Sequence, residues 1–160
     1  MRANEEKENN MFQRLAATHT PAAVILVRLM VGAVFLSEGI QKFLFPDEVG
    51  AGRFASIGFQ SPEIVAPFVA CFEIACGTLV VLGLLTRLAV IPLIVIMLTA
   101  IYTTKFEIFE QQGFWKMAHE ARTDWSMLLG SLFLLIVGAG QWSLDAFLSR
   151  ISGTSYNDSQ

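Results

Sequence analysis

Histidine, cysteine and charge are all scarce in this chain, and each shortage closes off a class of chemistry. The two histidines, His19 and His119, lie outside the apolar segments, which excludes a haem held between two membrane-helix histidines. His119 stands beside Glu120, yet a histidine so placed reads first as a surface residue, and no metal site is expected. Cys71 and Cys76 share one apolar run, about 140° apart around a helix, too far round to bridge each other. They read as small buried hydrophobes. No CxxC pair, HExxH zinc signature, phosphate-binding loop or dinucleotide glycine fingerprint occurs. Basic runs are missing as well: the net charge is −3 and aromatic and basic residues are not interleaved, so no nucleic-acid partner is expected.

What fills the chain instead is hydrocarbon. Hydrophobic residues make up 54% of the 160 positions and charged ones only 16%, outside the balance of a soluble domain. The mean hydropathy of +0.54 agrees. The chain reads as an integral membrane protein of one domain, with a polar N-terminal tail (1–21), a membrane domain (22–148) and a polar C-terminal tail (149–160). The opening MRANEEKENN is too polar for a signal peptide, so the first span is expected to direct insertion itself.

Four apolar segments run from Ala22 to Phe45, Pro62 to Leu85, Leu88 to Thr104 and Trp125 to Trp142. Each suits a hydrocarbon core of about 30 Å, and backbone in lipid must satisfy itself, so these are helices. The expected fold is all-α, an integral membrane four-helix transmembrane bundle. Only Gly83 to Arg87 separates the second and third segments, which predicts a tight antiparallel hairpin. The glycine-rich PDEVGAGRFASIGFQSP between the first two is expected to cover the mouth of the bundle. In KFEIFEQQGFWKMAHEAR, aromatics among charges predict a short interfacial helix or hairpin between spans three and four. Pro92 is expected to bend its helix without ending it. Arg2, Lys7, Arg14, Arg87 and Arg150 on the terminal side outnumber Arg53, Lys105, Lys116 and Arg122 opposite, a narrow vote for both termini in the cytoplasm.

The charges inside the spans carry the functional question. Arg28, Gly32, Phe35, Gly39 and Lys42 share one face of the first helix, within roughly 80°. Glycines there let another backbone approach closely. Glu38 precedes Lys42 by one turn, the favourable order for an ion pair. Glu73 lies mid-span, where an ionised side chain costs about 2.5–3.5 kcal/mol, so it needs a partner or a proton. Rise-per-residue arithmetic brings Glu38, Lys42, Glu73, Tyr102, Arg122 and Asp124 toward one end of the bundle, as ligand-binding or proton-carrying candidates. Two readings stand open: a network that locks helix order, or a site for a polar headgroup or proton. At the other end, Arg28 and Asp145 are expected to form a structural ion pair.

Three stretches in order, RLMVGAVFLSEGIQKF, FEIACGTLVVLGLLTRLAVIPL and DWSMLLGSLFLLIVGAGQWSLD, resemble the DoxX family of small four-helix bacterial membrane proteins, over roughly Ala22 to Leu148. The family pattern falls on Arg28, Gly39 and Lys42, then on Glu73, Gly77, Gly83, Thr86 and Arg87, and finally on Gly138, Gly140, Ser143 and Asp145. With Gly32, these glycines are read as helix-packing positions. The family is named for a subunit associated with thiosulfate:quinone oxidoreductase and terminal quinol oxidase, and mycobacterial relatives are linked to membrane-associated thiol and superoxide defence. The resemblance implies a bacterial inner-membrane subunit or scaffold of a quinone-linked or thiol redox system, without an intrinsic cofactor, with a quinone or lipid headgroup as candidate ligand. Redox-enzyme subunits or further copies of the chain are the implied partners. A small proton-coupled transporter and a non-catalytic assembly protein are the alternatives.

Overall fold

A computed structural model describes residues 22–148, so the two polar tails, with His19, Arg2, Lys7, Arg14 and Arg150, lie outside the described residues. Helix α1 spans Val24–Leu44, α2 Ala51–Ser56, α3 Pro62–Leu82 and α4 Thr86–Ala100. A π-helical turn, Ile101–Lys105, carries α4 directly into α5, Phe106–Gln112; α6, Phe114–Glu120, and α7, Arg122–Val137, follow. Residues 144–148 are again helical, and the described residues contain no strand.

Three of these helical stretches are long and apolar enough to cross a membrane: Val24–Leu44, Pro62–Leu82 and Thr86–Gln112. Their outward side chains, Leu26, Phe68, Leu88, Ile91 and Val95 among them, are exposed hydrophobics that water would penalise and lipid accepts. The third stretch corrects the sequence reading. Helix continues without a break from Thr86 through Pro92 and past Thr104 to Gln112, so the expected loop begins only at Gly113. Its φ of 82° separates α5 from α6, so two short helices occupy the segment read as an interfacial helix or hairpin. Helix α7 also departs from expectation. It starts at Arg122 and ends at Val137, where Gly138 (φ 87°) turns the chain, five residues before the expected Trp142.

Helix α1 packs most closely on α3, α4 packs on α7, and contacts of α3 with α4 and of α1 with α7 close the ring. Val31, Phe35, Val80, Val90, Leu93 and Leu134 fill the centre, essentially without exposure. The α1–α3 contact is a backbone contact. A Cβ on Gly77 would lie 2.8 Å from the Leu36 nitrogen and 2.9 Å from the Gly32 carbonyl, and one on Gly39 would lie 2.8 Å from the Ala70 carbonyl. Without a hydrophobic drive between helices in lipid, such close approach is what gives dispersion its strength.

The α3–α4 hairpin closes on Gly83. The Gly83 and Leu84 amides donate to the Val80 and Leu79 carbonyls, the Schellman pairing, which needs the left-handed φ of 69° that glycine accepts. Gly83, Gly138 and Gly140 (φ 75°), which the sequence reads as helix-packing positions, also make turns, and Gly83 packs closely as well, since a Cβ there would lie 2.6 Å from the Arg28 Nη1 and the Ser143 Cβ.

Candidate functional site

The charged face of α1 meets α3 at one end of the bundle. Gly39 leaves so little room that an added Cβ would sit 3.0 Å from the Glu73 Cβ, and this proximity brings the Glu73 carboxylate to the Lys42 amine, 2.7 Å away. Both are nearly out of solvent, with side chains 10% (Lys42) and 3% (Glu73) exposed. Glu38, half exposed, stands 3.8 Å from the same amine. The cross-helix pair is therefore the tight one, and the intrahelical pair foreseen from the spacing is the looser.

This pair forms part of the wall of a cavity of about 540 Å³ enclosed by α1, the 46–61 connection, α3, α4 with its π turn, and the start of α7. A volume in the range of about 300–1,000 Å³ can enclose a drug-sized molecule. In the same lining, Lys105 at the end of the π turn pairs with Asp124 of α7 at 3.1 Å. The π turn makes this possible, because a widened turn shifts the following side chains around the helix. Carbonyls near that turn are taken up by threonine hydroxyls: Thr99 donates to Val95, Thr103 to Thr99 and Thr104 to Ala100, at 2.7 to 2.9 Å. The roof comes from the 46–61 connection, as sequence led one to expect, with Phe54 and Phe59 in ring contact at 5.2 Å. Gly50 holds it down, since a Cβ there would lie 2.6 Å from the Lys42 carbonyl.

Of the six candidates from sequence, Glu38, Lys42, Glu73 and Asp124 line this cavity. Tyr102 and Arg122 do not. Tyr102 is 75% exposed and stacks on Phe106, and the Arg122 guanidinium donates to the His119 carbonyl. Their places in the wall are filled by Lys105 and Arg53, which sequence reasoning had left in loops. Outside the spans, the hydrogen bond from Lys116 (3.0 Å) holds the Glu120 carboxyl below its usual range.

At the opposite end Arg28 is buried; the expected Asp145 acts on it by charge through space, and the hydrogen bonds of Arg28 go to backbone carbonyls. Its Nε donates to the Val80 carbonyl (3.1 Å), Nη2 to Val81 (2.9 Å), and Nη1 to both Ala139 (2.9 Å) and Trp142 (2.7 Å). The first two end α3 and the others follow α7, so the guanidinium gathers carbonyls, that of Val80 shared with the Gly83 amide, where the negative ends of two helix dipoles converge. Asp145 serves the next helix start: its Oδ1 accepts from the Leu85 amide at 3.0 Å, and its own amide donates to Gly83 at 3.0 Å. That bond steadies Leu85, a non-glycine residue in the left-handed region (φ 49°). Cys76 is buried as expected, but Cys71 is exposed on the outer side of α3.

Comparison with known proteins finds similar sequences, among them a membrane protein. The family model described as DoxX matches residues 23–105. The "Uncharacterized membrane protein Rv3486" of Mycobacterium tuberculosis (strain ATCC 25618 / H37Rv) is 52% identical over 143 residues, covering 86% of this chain and 88% of that protein. "Putative oxidoreductase CatD" of Bacillus subtilis (strain 168) is 29% identical over 126 residues, covering 79% and 87%. No solved structure matches.

Proposed function

Because this chain belongs to the DoxX family, we propose that it is an inner-membrane subunit or scaffold of a quinone-linked or thiol redox system, and that its cavity holds a quinone head. On this reading it crosses the membrane four times with both termini in the cytoplasm, α7 being the fourth span. It presents a ligand to a partner redox enzyme rather than turning it over alone. The observation that carries the proposal is the buried Lys42–Glu73 pair set in the wall of a cavity whose lining is mostly apolar, with phenylalanine and valine side chains beside it. A quinone ring asks for that combination: an apolar slot for its faces, and a donor with a proton-accepting group at its carbonyl oxygens. The name borne by the Bacillus subtilis relative points the same way.

The test begins with extraction in mild detergent and mass spectrometry of the lipid that comes with the protein. Quinone is expected to co-purify, redox-enzyme subunits to be captured with it, and added quinone to quench the fluorescence of Trp125, which follows the cavity-lining Asp124. A preparation without quinone, whose fluorescence ignores added quinone, overturns the reading.

A further inference from the structure

The lining of the cavity reaches residues on the side that would face lipid. On α3 its lining steps around the helix from Val69 through Val65 to Phe68, and on α4 from Ile96 through Thr99 to Val95. At about 100° per residue, each run leaves the core-facing side and ends nearly opposite to it. The end residues are open, Phe68 at 62% and Val95 at 58% exposure. They lie along the two helices about 21 Å and 13 Å from the hairpin turn that ties α3 to α4, well within stretches long and apolar enough to span a membrane. Toward water the cavity is roofed by the 46–61 connection with its paired Phe54 and Phe59 rings.

Charge narrows the occupant. The charged side chains in the lining are Lys42, Arg53 and Lys105 against Glu38, Glu73 and Asp124, three of each sign. A phosphate or carboxylate head would find no surplus of positive charge to offset its own. A neutral head with acceptor oxygens needs none, and hydrogen bonds from the cations already present suffice.

We infer that the cavity is loaded sideways from the bilayer through the gap between α3 and α4, by a neutral-headed amphiphile with a single hydrophobic tail. Its head lies against the Lys42–Glu73 wall and its tail runs out past Phe68 and Val95. This rests on the reading of the cavity as a quinone-head site and adds to it the route, the tail and the neutrality of the head.

The experiment uses the full chain in nanodiscs, with partition into protein-free nanodiscs subtracted. Three probes are compared: a naphthoquinone with a geranylgeranyl tail, the same ring without a tail, and palmitate. The tailed quinone is expected to bind at least tenfold more tightly than the tailless one, and palmitate is expected not to displace it. Val95→Trp and, separately, Phe68→Trp fill the gap from exposed positions that the core does not depend on. Each is expected to weaken the tailed quinone at least tenfold and the tailless ring less than threefold. Equal affinity for the two quinones, or Trp variants that weaken neither, overturns lateral loading, and displacement by palmitate overturns the neutral head. The double variant Lys42→Met with Glu73→Leu separates the levels. If it binds both quinones as the natural chain does, the head site itself is refuted; if it loses both while the Trp variants bind normally, only the lateral route falls.

Discussion

Lys42 and Glu73 are costly to separate and inexpensive to remove together. An ion pair this buried has given up most of its hydration, so deleting one member strands an uncompensated charge, at a cost of about 3–5 kcal/mol, while an apolar pair of similar size is often neutral. Lys42→Met is therefore expected to lower unfolding stability in detergent by about that much, and adding Glu73→Leu to recover most of it. A denaturant titration of the three variants checks this; a double variant as unstable as the single would mean that Glu38 and the rest of the wall depend on the pair. Arg28 makes a different prediction. Because its fork serves four carbonyls, Arg28→Lys, which keeps the charge but loses the planar donors, is expected to cost about 3 kcal/mol, and Asp145→Asn only about 1 kcal/mol, since an amide oxygen still accepts from Leu85. Equal losses in the two variants would restore the direct pair that the sequence suggested. The exposed Glu120, whose carboxyl is held low, contributes above its unfolded titration range and loses that contribution as pH falls through the folded value. At that exposure the effect is small. Among these residues, the meeting of Lys42 with Glu73 was legible from helical rise alone. The partners of Arg28 were not, because which backbone carbonyls lie within reach at helix ends has no signature in sequence.

At the scale of elements, the glycine contacts and the π turn decide how the walls stand. Gly77→Val would push its side chain into the Leu36 nitrogen and the Gly32 carbonyl, part α1 from α3, and cost about 1–3 kcal/mol by overpacking. The same parting separates Lys42 from Glu73. The measurable consequence is a lower thermal midpoint together with weaker quinone binding. Gly113→Ala is the control, since a Cβ there meets nothing within 4 Å and only the positive φ opposes it. It is expected to lower the midpoint slightly and leave binding unchanged. A binding loss equal to that of Gly77→Val would show that the α5–α6 break, and not the α1–α3 contact, sets the site. The face made by Gly32 and Gly39 could be read from a helical wheel. The π turn could not: Lys105 and Tyr102 exchange roles because one widened turn moves Lys105 toward Asp124 and leaves Tyr102 outside, and the apolar run gives no sign of where a turn widens.

For the whole molecule the number of crossings turns on α7. Helix α7 has 16 residues, a length of about 24 Å against a hydrocarbon core of about 30 Å, so on the proposed four-span reading it needs the turn after Gly138 and the exposed Trp142 to complete the crossing. Four crossings put both termini on one side. Reporter fusions at either terminus are expected to be fluorescent with green fluorescent protein and inactive with alkaline phosphatase. An active phosphatase at the C-terminus alone would leave three spans and make α7 a helix packed within one leaflet.

The membrane class, the helical architecture and the family were all written in the sequence by itself, because hydropathy, a 3.6-residue period and the order of charged and glycine positions are properties of the chain read along its length. So was the convergence of Glu38, Lys42, Glu73 and Asp124, since antiparallel helices of known rise leave little freedom in depth. Tertiary structure alone decided which of the neighbours touch: that Arg28 binds carbonyls, that Lys105 and Arg53 replace Tyr102 and Arg122 in the wall, and that the lining reaches the exposed Phe68 and Val95 on α3 and α4. Those outcomes turn on rotations of a fraction of a turn and on backbone approaches of a few ångströms, and such small displacements leave no periodic trace in a sequence.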